Sequence, residues 1–375
     1  MLNKLKIDTK LLKELDLGIL VSMIVIVLFG TVNIFVATNA RFGMQFVTRQ
    51  LVWFLLALAL MYLLLSIDYN LLMGYVPIFY WFCVALLIFT KFKGAVINGA
   101  RGWLRLGPLS LQPSELAKLA IILMLAKKLD EMEGDINKPK NFFTLVFYAM
   151  VPVLFIVIQP DMGMTMVCFF IVLGIFFCSG LDMRVIGGGL LTLVVAIVLV
   201  WNSGLIESYQ KRRLTAVLNP EADELGANLQ LTQSMVGIGS GGFLGTGLRF
   251  SKDNVGGYSA TFVPENQTDF IFAIIGEHWG TIGAIFLLAL YGIMIYRFIL
   301  IARQSKDIFG SVICVGLTSY FLFAILQNIG MTIGIMPITG ITLPLVSYGG
   351  SSLLTTVLSV GLILNVGMRR KKINF

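Results

Sequence analysis

The stretch LGILVSMIVIVLFGTVNIFVA, residues 17–37, decides the fold. It carries no charged side chain, and an α-helix needs only about 20 such residues to cross a hydrocarbon layer about 30 Å thick. The apolar core of a cleaved signal peptide is shorter, about 7–15 residues, and is followed by a small-residue cleavage site that is missing here. The run is therefore expected to be a retained first span. Upstream of it Leu5, Leu11, Leu12 and Leu15 alternate with lysines and acids, a pattern suited to a helix lying along the membrane surface.

Outward from that run the same pattern repeats. Apolar residues make up 57% of the 375 residues and charged residues 13%, with a mean hydropathy of +0.89, a balance that soluble domains seldom show. Spans are expected at about 17–37, 46–67, 70–90, 112–129, 142–159, 161–180, 185–202, 268–297, 309–330 and 347–367. The fold class is thus all-α: one polytopic membrane domain, residues 1–375, of about ten helices, with a large external loop at 203–267 between the seventh and eighth. Within that loop the apolar piece Leu229 to Leu244 is expected to dip into the membrane surface. Two further external connections are unusual. Lys91 to Leu111 carries Arg101, Trp103 and Arg105 among glycines, and Ile329 to Val346 is interrupted by Pro337 and Pro344.

The net charge of +8 is distributed along membrane edges rather than as a basic stripe interleaved with aromatics, which argues against nucleic acid as a partner. Lys4, Lys6, Lys10, Lys13, Lys127, Lys128, Lys138, Lys140, Arg184, Arg297, Arg303, Lys306 and Arg369 to Lys372 fall on one side. The positive-inside rule places that side, with both termini, in the cytoplasm. Cys83, Cys168, Cys178 and Cys314 lie in apolar runs and behave as small hydrophobes. A single histidine, His278, excludes sites built from several imidazoles, and no Ser-His-Asp arrangement is present.

Ionisable groups inside a bilayer are costly and usually have a purpose. Glu115 and Lys118, three residues apart after the helix start Gln112-Pro113-Ser114, share a helix face; they form either a mutual salt bridge that lets the helix insert or part of a site. Asp161, after Gln159-Pro160, either caps the next helix or joins that site. Glu265 and Asp269 stand at the external mouth of the eighth span, with Glu277 about two turns further in, so one side of that helix is expected to face a cavity. Arg101, Arg105, Lys211, Arg212 and Arg213 are cations on the face where the positive-inside rule disfavours them. Guanidinium groups bind phosphate bidentately, so these are either solvated loop charges or the binding groups of an anionic, diphosphate-bearing ligand. The glycine run Gly237 to Gly242 can form a backbone nest for the same anion, a weak signal without a following Lys-Ser/Thr.

Three long motifs then match one family in order. Gly99-Ala100-Arg101-Gly102-Trp103-Leu104 with Gln112 to Lys118, Pro264 to Phe272 with Ile275-Gly276-Glu277, and Leu343 to Ser352 resemble the RodA/FtsW/SpoVE family of shape, elongation, division and sporulation proteins, over nearly the whole chain. Asn328 to Gly334, followed by Met336 to Gly340, resembles the elongation (RodA) branch; division and sporulation members are the alternative. Thr246 stands where the family usually has a basic residue, and His278 where it usually has a second glutamate.

The resemblance implies a peptidoglycan glycosyltransferase that polymerises lipid II and works with a class B penicillin-binding protein in the bacterial plasma membrane. On that reading Asp269 is the general base, Arg101, Arg105, Lys118, Arg212 and Arg213 are diphosphate ligands, and Glu115, Asp161, Glu265 and Glu277 line or organise the cavity. No cofactor is implied with certainty, and a divalent cation beside the diphosphate is compatible with the acidic residues. A lipid II flippase and a scaffold that only recruits the cross-linking enzyme are the rival classes. Small residues at Ser347 to Ser352 are expected to admit the partner's transmembrane helix.

Overall fold

The computed structural model describes residues 9–97, 100–106, 109–202, 227–248 and 257–370; the side chains of Arg101 and Arg105 lie outside that description. A short turn of helix, α1 (Thr9–Leu12), is followed by α2 (Leu17–Phe42), α3 (Gln45–Ser66), α4 (Tyr69–Lys93), β1 (Ala95–Ile97), β2 (Ala100–Leu106), β3 (Leu109–Leu111) and α5 (Pro113–Glu131). Then come α6 (Pro139–Ile158), α7 (Met162–Cys178), α8 (Met183–Asn202), α9 (Ala227–Gly241), α10 (Gly257–Phe262), α11 (Ile271–Gln304), α12 (Ile308–Thr332) and α13 (Gly350–Met368). Each of the ten expected spans falls on one helix, and the protein is a polytopic all-α membrane protein. Seven of the helices (α2, α3, α4, α6, α11, α12 and α13) are long and apolar enough to cross a bilayer, and α7 and α8 are shorter apolar helices.

Carboxylates start several of these helices by accepting from their first free N–H groups. Asp16 accepts from Ile19 N, Asp161 from Met164 N and Asp307 from Gly310 N. Pro113 and Pro139 open α5 and α6 where no N–H donor is needed. Gly43, with φ of 55° and ψ of −135°, a conformation open to glycine, ends α2 and returns the chain into α3.

The bundle has buried central helices and an apolar exterior. Of their most apolar windows, α12 and α13 are 72% and 83% buried, whereas α3, α4 and α6 are only 28%, 28% and 22% buried. The outer helices present Leu51, Leu55, Leu71, Tyr75, Ile78 and Phe82 to the surroundings, an apolar surface that only lipid can cover at low cost. The charged α5 runs through the middle, buried from Pro113 to Leu129 along most of its faces.

Three departures from the sequence reading shape one end of the bundle, here called the sheet end. The connection Lys91 to Leu111, to which the sequence assigned no regular structure, holds a three-stranded antiparallel sheet in the order β1-β2-β3, pairing Ala95 with Trp103 and Arg105 with Ser110. The stretch read as external loop contains two helices, α9 and α10; the remainder of it, with Lys211, Arg212 and Arg213, lies outside the described residues. The eighth span is broken. Gly280 takes φ 60° and ψ −159°, which divides α11 into a half-helix, Ile271–Trp279, and a membrane-length helix from Thr281 onward.

The break is stitched from outside. Thr281 N and Ile282 N donate to the carbonyls of Gly242 and Phe243, while Thr246 N and Gly247 N donate to the carbonyls of Glu277 and His278. Broken helices survive at membrane depth when neighbouring backbone takes up the freed groups in this way. Glycines make the approach possible: a Cβ on Gly241 would overlap the Gly276 carbonyl, and one on Gly245 the His278 carbonyl. The glycine run is thus a helix-packing surface, and its first members lie within α9 rather than in an anion nest.

Candidate active site

At the sheet end, the start of α5, the start of α7 and the start of α13 bring together the first group of polar residues. Lys118 Nζ lies 2.5 Å from Glu115 Oε2 and 3.8 Å above the Tyr320 ring, and Lys118 is 1% exposed. The Thr355 hydroxyl donates to the same Glu115 oxygen at 2.7 Å, and the Tyr320 and Thr356 hydroxyls are 3.2 Å apart. An ion pair removed from water is stable only when its remaining hydrogen-bonding capacity is met, as it is here by α12 and α13. Beside this group Gln112 Nε2 donates to Asp161 Oδ2 at 3.1 Å, while Asp161 Oδ1 caps α7.

The second group is built on the turn between α10 and α11. Thr268 N and Phe270 N both donate to the Glu265 carbonyl, closing the turn, and Glu265 takes φ of 53°. Phe270 is 1% exposed and packs with Leu231, Val263, Met331 and Ile338, pinning the turn from below. From α12, Asn328 Nδ2 donates to the carbonyls of Asp269 and Ile341 at 2.8 and 2.7 Å. Ser347 Oγ donates to the Thr268 carbonyl at 2.6 Å, and Tyr348 N to that of Gln267 at 2.8 Å. The half-buried Asp269 carboxylate lies against Gly340, where a Cβ would stand 3.3 Å from Oδ2. The same segment touches α7, since a Cβ on Gly163 would meet the Thr339 carbonyl at 2.7 Å. A half-buried aspartate is therefore carried on a turn whose backbone is anchored at Gln267, Thr268 and Asp269.

The FtsW/RodA/SpoVE family, described as "Cell cycle protein", matches residues 12–372. The chain belongs to this family. It is similar to the peptidoglycan glycosyltransferase MrdB of Escherichia coli K12, 34% identical over 363 residues that cover 96% of this chain and 95% of that protein. Among solved structures it resembles a chain of "Structural coordination of polymerization and crosslinking by a peptidoglycan synthase complex", with a TM-score of 0.80, 31% identity, and coverage of 95% of this chain and 98% of that one. It also resembles the rod shape determining protein RodA of Thermus thermophilus, with a TM-score of 0.72, 29% identity, and coverage of 96% and 98%.

Several residues read from the sequence occupy this end of the family fold in roles of their own. Glu115 and Lys118 are each other's partners, so the Lys118 ammonium is engaged within the protein rather than held out for a ligand. Glu265 receives the Thr268 hydroxyl at 2.9 Å and shapes the turn that carries Asp269. Glu277 does not face a cavity: it is 3% exposed, and its two oxygens accept from Tyr258 N and Ser259 N, each at 2.6 Å. Its expected position on one helical face with Asp269 fails because α11 begins only at Ile271.

His278 is likewise a satisfied interior residue, with Nδ1 3.1 Å from the Ile274 carbonyl. Arg101 and Arg105 belong to β2. The small residues from Ser347 to Ser352 are used within the chain: Gly350 packs against Trp53 of α3, Ser352 shares a hydrogen bond with Thr342, and Ser347 and Ser351 are buried. Among the described residues no group of three or more His, Cys, Asp or Glu converges as a metal site. Sequence reasoning missed Asn328, Asn266, Tyr320 and Thr355 as parts of the site. The signal available for them was a polar side chain inside an otherwise apolar helix or turn.

Proposed function

We propose that this chain, a peptidoglycan glycosyltransferase of the RodA type, polymerises lipid II at the sheet end of the bundle with Asp269 as general base. The observation that carries the assignment is the anchored turn: an aspartate is offered at the membrane surface by a backbone that Asn328, Ser347 and Tyr348 hold in place. A sugar hydroxyl of one lipid-borne disaccharide attacks the anomeric carbon of another, and the undecaprenyl diphosphate leaves from the opposite face, with inversion. Asp269 receives the proton of that hydroxyl. An ordinary aspartate, with a pKa of about 3.9, is a weak base towards an alcohol, so transfer is late, when bond formation has made the hydroxyl acidic. Arg101, Arg105, Arg212 and Arg213 are the groups assigned to the departing diphosphate, because guanidinium forks match phosphate oxygens.

The sheet end faces outward and both termini lie in the cytoplasm of the bacterial cell. Lys127, Lys128, Lys138, Lys140, Arg184, Arg297, Arg303, Lys306, Arg369 and Arg370 gather at the opposite end, as the positive-inside rule requires of a cytoplasmic face. A class B penicillin-binding protein is the partner that cross-links the nascent strands. Its transmembrane helix is assigned to the small-residue stretch Ser347 to Ser352, where Tyr348, Gly349, Gly350 and Ser352 are only half-buried.

The assay is polymer formation from labelled lipid II by the purified chain with its cross-linking partner. In Asp269→Asn the main-chain carbonyl that Asn328 holds is retained, so folding and partner binding persist while turnover falls about 10²–10⁴-fold. Turnover within a few-fold of the parent overturns the base assignment and makes Glu265 the next carboxylate to test. Movement of lipid II across vesicles without polymer favours the flippase reading.

A further inference from the structure

We propose that Glu277 is a positioning residue for Asp269, holding the catalytic turn through α10 rather than binding substrate; this rests on the assignment of Asp269 as base. Glu277 leaves the half-helix of α11 and spans the first N–H groups of α10, one carboxylate oxygen to Tyr258 and the other to Ser259. Both oxygens are thus committed to backbone donors. At the far side of α10 the carbonyls of Ser259 and Ala260 accept from Asn266 Nδ2 at 3.2 and 3.0 Å, and Asn266 is 4% exposed. Asn266 belongs to the turn that carries Asp269, and that turn runs directly into the half-helix on which Glu277 stands. The contacts close a ring: half-helix, Glu277, α10, Asn266, turn and back to the half-helix.

Two features make the ring specific. Gly257 opens α10 with φ of 72°, and a Cβ there would overlap the Glu277 carboxylate and crowd the His278 ring. The Glu277 carbonyl also accepts from both the N–H and the hydroxyl of Thr246, tying the same residue to the loop that stitches the Gly280 break. Glutamine at 277 would offer one acceptor where two N–H groups converge, and would turn its own NH₂ towards the other. The ring would open, and the turn would keep Asn328, Ser347, Tyr348 and the apolar contacts of Phe270 but lose its tie through α10 to the half-helix. A displacement of about 1 Å at a catalytic group costs about 10²-fold in rate.

The experiment measures kcat and KM for lipid II polymerisation by the full-length chain with its partner, together with the thermal midpoint, in Glu277→Gln and Gly257→Ala. Gly257→Ala disturbs the same contact from the opposite side and keeps the carboxylate. Both variants are expected to lose about 10–100-fold in kcat with KM within about three-fold of the parent. The double variant is expected to be no worse than the poorer single one, because both break one contact. In the Asp269→Asn background Glu277→Gln should cost nothing more, since the group it positions no longer acts.

A raised KM with kcat intact in Glu277→Gln, or full turnover by a folded Gly257→Ala, overturns the inference. If either variant fails to fold, Asn266→Ala cuts the ring without touching the carboxylate or Gly257, and it must show the same loss in kcat alone. Parent-like turnover by Asp269→Asn defeats the base assignment itself, whereas an inactive Asp269→Asn beside a fully active Gly257→Ala defeats only the positioning role.

Discussion

Glu115 and Glu277 are both buried at the sheet end, and they escape the cost of burial by different means. Glu115 takes a cation one helical turn away, Lys118, and adds the Thr355 hydroxyl. Glu277 takes two backbone N–H groups, nineteen and eighteen residues earlier in the chain, from the first turn of another helix. The first solution lies within a single helix and needs α12 and α13 only to complete it. The second exists only once α10 has folded back on α11. A charge pair within one helix lets that helix enter the membrane as a unit; a carboxylate spent on another segment's backbone makes the two segments one mechanical piece. The contrast teaches that two buried carboxylates at the same end of a bundle need not share a role: one supports insertion and packing, the other geometry.

The sharpest way to break the comparison is to remove the cation. Lys118→Met leaves Glu115 buried without its partner, and a stability loss of about 3–5 kcal/mol is expected in thermal or denaturant unfolding of the detergent-solubilised protein. Pairing it with Glu115→Gln should restore most of that loss, because two neutral groups replace one stranded charge. If the double variant is as unstable as the single, the pair does more than satisfy itself.

The backbone solution is tested next through its glycines. A methyl group on Gly241 would overlap the Gly276 carbonyl and crowd the Glu277 backbone, so Gly241→Ala is expected to cost about 1–3 kcal/mol and to depress turnover as well. Unchanged stability and rate would mean that α9 can slide away without consequence for the stitched break.

A smaller effect is expected at the edge of the same junction. Trp279 Nε1 donates to Asn33 Oδ1 at 3.0 Å, joining the half-helix to α2, and Trp279→Phe should lose about 0.5–1.5 kcal/mol with turnover close to the parent. At the opposite end of the bundle Lys138 and Asp135 form an exposed pair 2.8 Å apart. Lys138→Ala should leave both the thermal midpoint and polymer formation unchanged, since solvated pairs contribute little. A change in polymer length there would reveal coupling along the bundle that the packing does not suggest.

Much of this was legible in the chain itself. The spans followed from apolar run length, and two of their starts from Pro113 and Asp161, because capping and proline act locally. The Glu115–Lys118 pair was legible for the same reason, as two residues one turn apart. The three-stranded sheet was not: β1 and β3 are each three residues long, too short to show an alternating pattern. The break at Gly280 was hidden in an apolar run continuous enough to read as one helix, and a lone glycine in such a run is ordinarily tolerated.

What the sequence determined alone is therefore whatever depends on neighbours along the chain: about ten helical spans, some of their caps, one in-helix ion pair, and the order of the family motifs. Tertiary structure decided the rest of the site. Whether Glu277 faces a cavity or caps α10 depends on where α11 breaks, and that break is tolerable only because the glycines of α9 and the following loop bring foreign backbone close enough to take up its freed hydrogen-bonding groups. Run length and composition carry no record of such a partner, since backbone donors and acceptors are the same in every residue except proline. Only the packed chain shows which of them meet.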